Sequence, residues 1–236
     1  PGGRVVTTDQ KGIIYIWDVE SGQKLSSLNG GMGVISMTVS PDGKYLVTGT
    51  EEGNRSIVWD LATLTKITEL EQIGLINSVQ FSKDGKILAT GSSETSVYLW
   101  NAGDGSFSRI GHEILVNGNV ITMSFSPDDK LLAVGDSAHY VYLFDIASNG
   151  EINRLPHADK VTSVSFSPDG KQLVSVSRKT VLLWDLPSLP SITSENLIDA
   201  ACSHLISNFD DAKLKFFFEG AEDEHRNICP NLPAGN

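Results

Sequence analysis

The sequence predicts an all-β fold assembled from repeated antiparallel units, and three observations carry that prediction. The stretch Val164 to Trp184, VSFSPDGKQLVSVSRKTVLLW, recurs as VSPDGKYLVTGTEEGNRSIVW, FSKDGKILATGSSETSVYLW and FSPDDKLLAVGDSAHYVYLF. Two landmarks keep one period. The aromatics that close each unit, Trp17, Trp59, Trp100, Phe144 and Trp184, are spaced by 42, 41, 44 and 40 residues, and Ser40, Ser82, Ser126 and Ser167 by 42, 44 and 41. Such self-similarity marks a repeat architecture. Within each unit, short runs rich in Val, Ile and Leu alternate with period two between turn residues, which is strand patterning, and about four strands fit one period.

The turn chemistry agrees. In Ser-Pro-Asp-Gly the Pro fixes φ and the Gly enters the left-handed region to close a hairpin, so Asp42-Gly43, Asp84-Gly85 and Asp169-Gly170 are read as structural. Two units depart: Lys83 replaces Pro, and Asp129 replaces Gly but tolerates the same backbone region.

Taken in order, residues 1–29 form a partial unit: RVVTT, GIIYIWDVES and QKLSSL supply three strands, and the first strand is missing. Residues 30–71, 72–111 and 112–156 are whole units. Residues 157–187 form another partial unit, whose fourth strand is absent or replaced once Pro187 and Pro190 intervene.

With Trp17-Asp18, Trp59-Asp60, Trp100-Asn101, Phe144-Asp145, Trp184-Asp185, Gly111-His112 and the four turns in view, residues 1 to about 187 resemble a WD-repeat β-propeller. The resemblance implies four-stranded blades arranged in a ring, which removes exposed strand edges by closing on itself. Here the two partial blades do not add up to one whole blade. The expectation is therefore the C-terminal part of a longer, seven-bladed propeller, completed by upstream blades or by another copy, with a five-bladed ring as the alternative.

The resemblance also implies an internal network joining a His, an Asp, a Ser and the Trp of a blade. The network is expected to be mostly broken, because Lys11, Gly53, Glu94, Ala138 and Arg178 occupy the Asp positions and Phe144 has no indole N–H. It further implies that loops on one face bind proteins or peptides. The loop Gly111 to Asn119, facing Asp136 to Tyr140, is the first candidate, giving His112, Glu113, Asn117, Asp136, His139 and Tyr140 as contact residues, with Arg55, Arg178 and Lys179 as positive points on the rim. His112 is also read as structural rather than catalytic. Met32, Ile73, Leu75, Ile114 and Leu115 either plug the space between blades or form an apolar contact surface.

Composition narrows the partners. The chain has 236 residues, 40% of them hydrophobic, and a net charge of −11, divided as −6 over residues 1–190 and −5 over 191–236. No basic stripe is present, so nucleic acid is not expected as a partner. No apolar run approaches the ~20 residues of a spanning helix and no signal peptide is recognisable, so a cytoplasmic location without membrane contact is expected. Only Cys202 and Cys229 occur, both beyond the repeats, so no disulfide framework holds the blades.

Residues 188–236 read as a helical extension packed on the propeller. Leu197, Ile198, Ala201, Cys202, Leu205 and Ile206 form an amphipathic stripe after the N-cap Ser194, and a second helix is expected from Asp211 to Glu219. Ala201-Cys202, Arg226 and Cys229-Pro230-Asn231-Leu232-Pro233 resemble the end segment of large bacterial, cyanobacterial-type WD-repeat signalling and defence proteins, although Leu214 or Phe216 stands where such tails carry Trp. The pair of thiols with His204 and His225 leaves zinc, a disulfide or two buried thiols open.

No nucleophile elbow, phosphate-binding Gly loop or metalloprotease motif is present, and Asp128-Asp129 and Glu51-Glu52 sit on turns. The reading is a non-enzymatic interaction scaffold without cofactor or metal. Its rivals are a self-assembling structural protein that covers open edges with another copy, and a metal-dependent enzyme built on the tail.

Overall fold

The computed structural model describes residues 3–31, 33–51 and 54–188. Within these described residues eighteen strands form five antiparallel sheets, each ordered as in the sequence. The first sheet holds β1 (Arg4–Thr8), β2 (Ile13–Asp18) and β3 (Lys24–Asn29). The second holds β4 (Val34–Val39), β5 (Tyr45–Thr50), β6 (Arg55–Asp60) and β7 (Thr65–Glu71). The third holds β8 (Ile76–Phe81), β9 (Ile87–Ser92), β10 (Ser96–Asn101) and β11 (Ser108–Leu115). The fourth holds β12 (Val120–Phe125), β13 (Leu131–Asp136), β14 (Tyr140–Asp145) and β15 (Gly150–Pro156). The fifth holds β16 (Val161–Phe166), β17 (Gln172–Ser177) and β18 (Val181–Asp185), and one 3-10 turn, Leu186–Ser188, follows.

Successive first strands lie against one another, β4 with β8, β8 with β12 and β12 with β16, so they form the inner side of the array. Side chains tie them across sheets: Ser36 Oγ donates to the Ile76 carbonyl at 2.8 Å and Asn77 Nδ2 to the Val120 carbonyl at 2.9 Å.

Period-two alternation explains the packing, because each third strand turns one row of side chains toward the preceding sheet and the other toward the following one. Ile57 and Trp59 thus join Ile14 and Ile16 of the first sheet, while Val58 joins Tyr98 and Trp100 of the third. Leu99 packs with Met123 and Leu132, and Leu143 with Val164 and Trp184. Four apolar clusters fill the four junctions between five sheets, and each fully buried large side chain contributes roughly 1.5–3 kcal/mol.

Close approach needs glycine at one place in each middle sheet. A methyl group at Gly49 would meet the Ile76 carbonyl, one at Gly91 the Val120 side chain, and one at Gly135 the Val161 side chain.

The repeated turns have the chemistry their sequence implies. The hydroxyls of Ser40, Ser82, Ser126 and Ser167 donate to Asp42, Asp84, Asp128 and Asp169 at 2.6–2.8 Å, and each accepts the N–H that opens the next strand. These serine bonds hold the carboxyls of Asp42, Asp128 and Asp169 below the usual aspartate range. Gly43, Gly85 and Gly170 have φ of 73°, 74° and 71°, and Asp129 takes the same conformation at 58°.

The structure departs from the sequence reading along β11. That strand continues to Leu115, so the boundary placed after residue 111 falls inside a strand and the connecting loop shrinks to residues 116–119. A bulge explains the miscount: Leu99 pairs with Ile110 and Val97 with Ile114, leaving three residues of β11 opposite Tyr98 alone. The helical extension, the tail thiols and histidines, and Met32, Glu52 and Gly53 lie outside the described residues.

Candidate functional site

Antiparallel order puts the loops between sheets and the turns between second and third strands at one end of the array, here called the upper end. The backbone joins them there in a regular stitch. A connecting loop donates at its start to the turn of its own sheet: Gly30 N–H to Gly12, Gln72 to Asn54, Val116 to Thr95 and His157 to His139, all at 2.8–2.9 Å. At its end its carbonyl receives the next sheet's turn: Glu51 N–H bonds Gly33, Ser93 bonds Leu75 and Ser137 bonds Asn119. Across the first four sheets the upper rim is therefore a continuous hydrogen-bonded band, which restrains the loops before any partner arrives.

On this band the third sheet presents Ile73, Leu75 and Leu115, which are 66%, 42% and 65% exposed. Leu75 and Leu115 flank the turn at residues 93–95, since Leu75 accepts from Ser93 and Val116 donates to Thr95. Of the apolar residues placed between blades, these three face outward, whereas Ile114 is buried in the junction with the fourth sheet.

The other candidate residues separate into distinct environments. His112 and Glu113 lie on the β11 bulge, His112 exposed and Glu113 half-buried, rather than in a loop. Asn117 and His139 are exposed at the third and fourth sheets, with His139 at a φ of 73° and Tyr140 half-buried beside it. Arg55 opens β6 and pairs with Glu69 at 2.7 Å, while Arg178 and Lys179 sit exposed on the turn of the fifth sheet, so the positive points do not gather with the others.

Asp136 must be withdrawn from the contact residues. It is fully buried, and its carboxylate accepts the Tyr140 N–H at 2.9 Å and the Tyr142 hydroxyl at 3.2 Å. Tyr142 in turn accepts the Asn117 N–H at 3.0 Å. Burial, above all, pushes the Tyr142 phenol up to about 12, so it stays protonated and donates to Asp136. The chain Asn117–Tyr142–Asp136 thus secures the loop between the third and fourth sheets.

The internal network also survives further than the sequence reading allowed. Trp17, Trp59, Trp100 and Trp184 donate their indole N–H to Thr7, Thr48, Thr90 and Ser175 at 2.7–3.2 Å. In the third sheet Gln72 completes it: its Nε2 donates to the Thr90 and Ser96 carbonyls and its Oε1 accepts from Thr90 Oγ1. In the fifth sheet His157 Nε2 meets Ser175 Oγ at 2.7 Å, and burial lowers the histidine's pKa from its ordinary value. In the fourth sheet Val134, paired with Tyr142, occupies the strand position that Thr48 and Thr90 hold in the second and third, so the ring without an N–H goes with a position without a hydroxyl. A hydroxyl residue nine to eleven positions before each Trp was the available signal.

The opposite, lower end carries a cleft of about 420 Å³, lined by Val39, Phe81, Phe125 and Phe166 with Pro41 and Pro127 beside them. These are the residues just before and within the repeated turns, a recurrence present in the sequence and not singled out there. Among the described residues no three His, Cys, Asp or Glu side chains gather as metal ligands, and no helix is long and apolar enough to cross a membrane.

The family described as WD domain, G-beta repeat matches residues 22–60, 66–101, 105–145 and 150–185, more than half of the chain. A search of curated proteins finds no match.

Proposed function

The chain belongs to the WD domain, G-beta repeat family, and from that premise we propose that it is a non-catalytic scaffold that holds a protein or peptide partner on its upper rim. Repeats of this family generally mediate protein–protein interaction. The observation that carries the reading is the exposure of Ile73, Leu75 and Leu115 on a stitched, hydrogen-bonded band. A rigid apolar patch loses little conformational freedom on binding, and exposed patches of this kind are where partners dock. Asn117, His139 and Tyr140 extend the contact surface toward the fourth sheet, His112, Glu113 and Arg55 lie at its margins, and Arg178 and Lys179 stand apart on the fifth sheet. The resemblance of Ala201-Cys202, Arg226 and Cys229-Pro230-Asn231-Leu232-Pro233 to bacterial end segments is what supports reading it as the C-terminal repeat region of a larger cytoplasmic signalling or defence protein, whose other domain would respond to the partner.

A photo-crosslinking residue placed at Leu75 or Leu115 tests the reading. Expected is a discrete adduct that is absent when the same residue replaces Val19, which is comparably exposed at the lower end. Equal labelling from all three positions overturns it.

One observation favours a second reading, assembly through open ends. In the interior sheets the third-strand residues Val58, Leu99 and Leu143 are almost fully buried by the next sheet, whereas the equivalent Leu183 is 57% exposed and Val181 beside it 68%. Among the described residues β18 has no strand on its outer side, and β1 none on its inner side. Such faces and edges accept further blades or another copy of the chain. Light scattering over a dilution series separates the two: a large assembly that resists dilution and is dispersed by Leu183→Asp supports assembly, and a monomer at all concentrations excludes self-assembly.

A further inference from the structure

The rim that the proposed function uses has a charge character of its own. Around the third sheet, Glu71 closes β7 and Glu94 lies on the turn between Leu75 and Leu115, both exposed, and Glu113 is half-buried on the β11 bulge. None of these three carboxylates has a cationic partner among the described residues. The nearest arginine on that end, Arg55, is already engaged by Glu69 at 2.7 Å, and the lysines of the third sheet, Lys83 and Lys86, sit at the lower end in its repeated turn. At the lower end the carboxylates of the repeated turns are by contrast satisfied by serine hydroxyls and backbone N–H groups.

The unpaired acids thus surround the outward apolar residues. We propose that the partner of the third-sheet rim is a short basic peptide segment in which Leu, Ile or Val side chains alternate with Lys or Arg. The apolar side chains would cover Ile73, Leu75 and Leu115, and the cations would pair with Glu71, Glu94 and Glu113. The local geometry favours a short extended segment. The turn of residues 93–95 separates the two leucines, so a segment that covers both runs across this turn. Gly74, at a φ of 92°, passes so close to Glu94 that a side chain there would strike it, so the loop holds Glu94 between the two apolar points. Opposite charge on the partner accelerates encounter and selects against acidic competitors, which the net charge of −11 repels further.

The inference rests on the rim being the binding surface, and one experiment distinguishes the failure of either. The intact chain is used to select from a random displayed peptide library, and the selected peptides are measured by fluorescence anisotropy. Expected are peptides with net positive charge beside two or more aliphatic residues. Their affinity falls about tenfold or more with Leu75→Ser/Leu115→Ser and with Glu94→Lys, but changes little with Glu20→Lys, the same charge change on an exposed lower-end turn. Neutral or acidic peptides that still require Leu75 and Leu115 overturn the basic partner and leave the rim standing. Basic peptides weakened equally by Glu20→Lys also overturn it, since attraction is then general. Peptides indifferent to Leu75 and Leu115, or no peptides at all, overturn the rim as well.

Discussion

The carboxylate of Asp129 accepts the backbone N–H of Lys83 at 2.6 Å, and its second oxygen accepts the Asp84 N–H at 2.9 Å. These are the two residues at which the repeated turns depart from Ser-Pro-Asp-Gly, and they lie in adjacent sheets. The departures answer one another. Where Pro gives way to Lys the backbone gains a donor, and where Gly gives way to Asp the neighbouring turn gains an acceptor for it.

The pair is therefore expected to be coupled. Asp129→Gly keeps the backbone conformation and removes the acceptor, and Lys83→Pro removes the donor that it serves. In urea unfolding each single change should destabilise, by roughly 0.5–1.5 kcal/mol for a partly exposed bond, and the double change should cost less than the sum. Strict additivity would show that the two turns do not act together.

Phe144 and Val134 form a second matched departure, since the other sheets place Trp against Thr or Ser at these positions. Phe144→Trp alone buries an indole N–H without an acceptor, at a cost of about 1–3 kcal/mol. Adding Val134→Thr supplies the acceptor and should recover about 1 kcal/mol or more, read as a rise in melting temperature over the single variant. No recovery would mean that the stacking of Tyr142 on Phe144, at 6.0 Å and 12°, is what fixes the ring.

His157 predicts a pH dependence. Burial lowers its pKa below the ordinary 6.5, so the unfolded chain takes up the proton first as pH falls. The stabilisation from the neutral ring is complete above about pH 6.5 and is lost as pH drops through that value toward the folded pKa. Urea midpoints should fall from pH 7.5 to pH 5.5 in the native chain and fall less in His157→Gln. Parallel decline in both would assign the loss to other groups.

Gly91 faces Val120 so closely that Gly91→Ala should cost about 1–3 kcal/mol through displacement of the neighbouring inner strand. Gly103→Ala, whose added methyl meets Lys86 at Cγ, Cβ and Cα at 3.2, 3.3 and 3.4 Å and so needs a shift of only a few tenths of an ångström, should cost clearly less than Gly91→Ala, about 1 kcal/mol or below. Comparable thermal stability of the two variants would refute close packing at the junction.

Much of the fold was legible because its determinants are local. The S-x-D turns contain both partners of their own hydrogen bonds, and the alternating runs name the two faces of each strand. The site was legible in part. Ile73, Leu75 and Leu115 are apolar where a loop has no need of it, and that anomaly is visible without coordinates. Asp136 misled for the opposite reason: it lies at the edge of a turn, as a rim residue should, yet its carboxylate turns inward to Tyr140 and Tyr142. His157 follows Pro156 rather than the Gly that precedes His112, so no Gly-His pair marks it, yet Ser175, eighteen residues away, meets it across the sheet.

The sequence by itself determined the repeat, the all-β class, the turns and the alternation that directs aliphatic side chains into the junctions, because each depends on residues a few positions apart. Only the tertiary structure decided which departures compensate one another, which polar residues are enclosed and which apolar ones remain outside. Those outcomes depend on strand register and on the approach of neighbouring sheets, where a bulge such as that in β11 takes residues 111–113 out of the pairing ladder and contacts join positions more than forty residues apart.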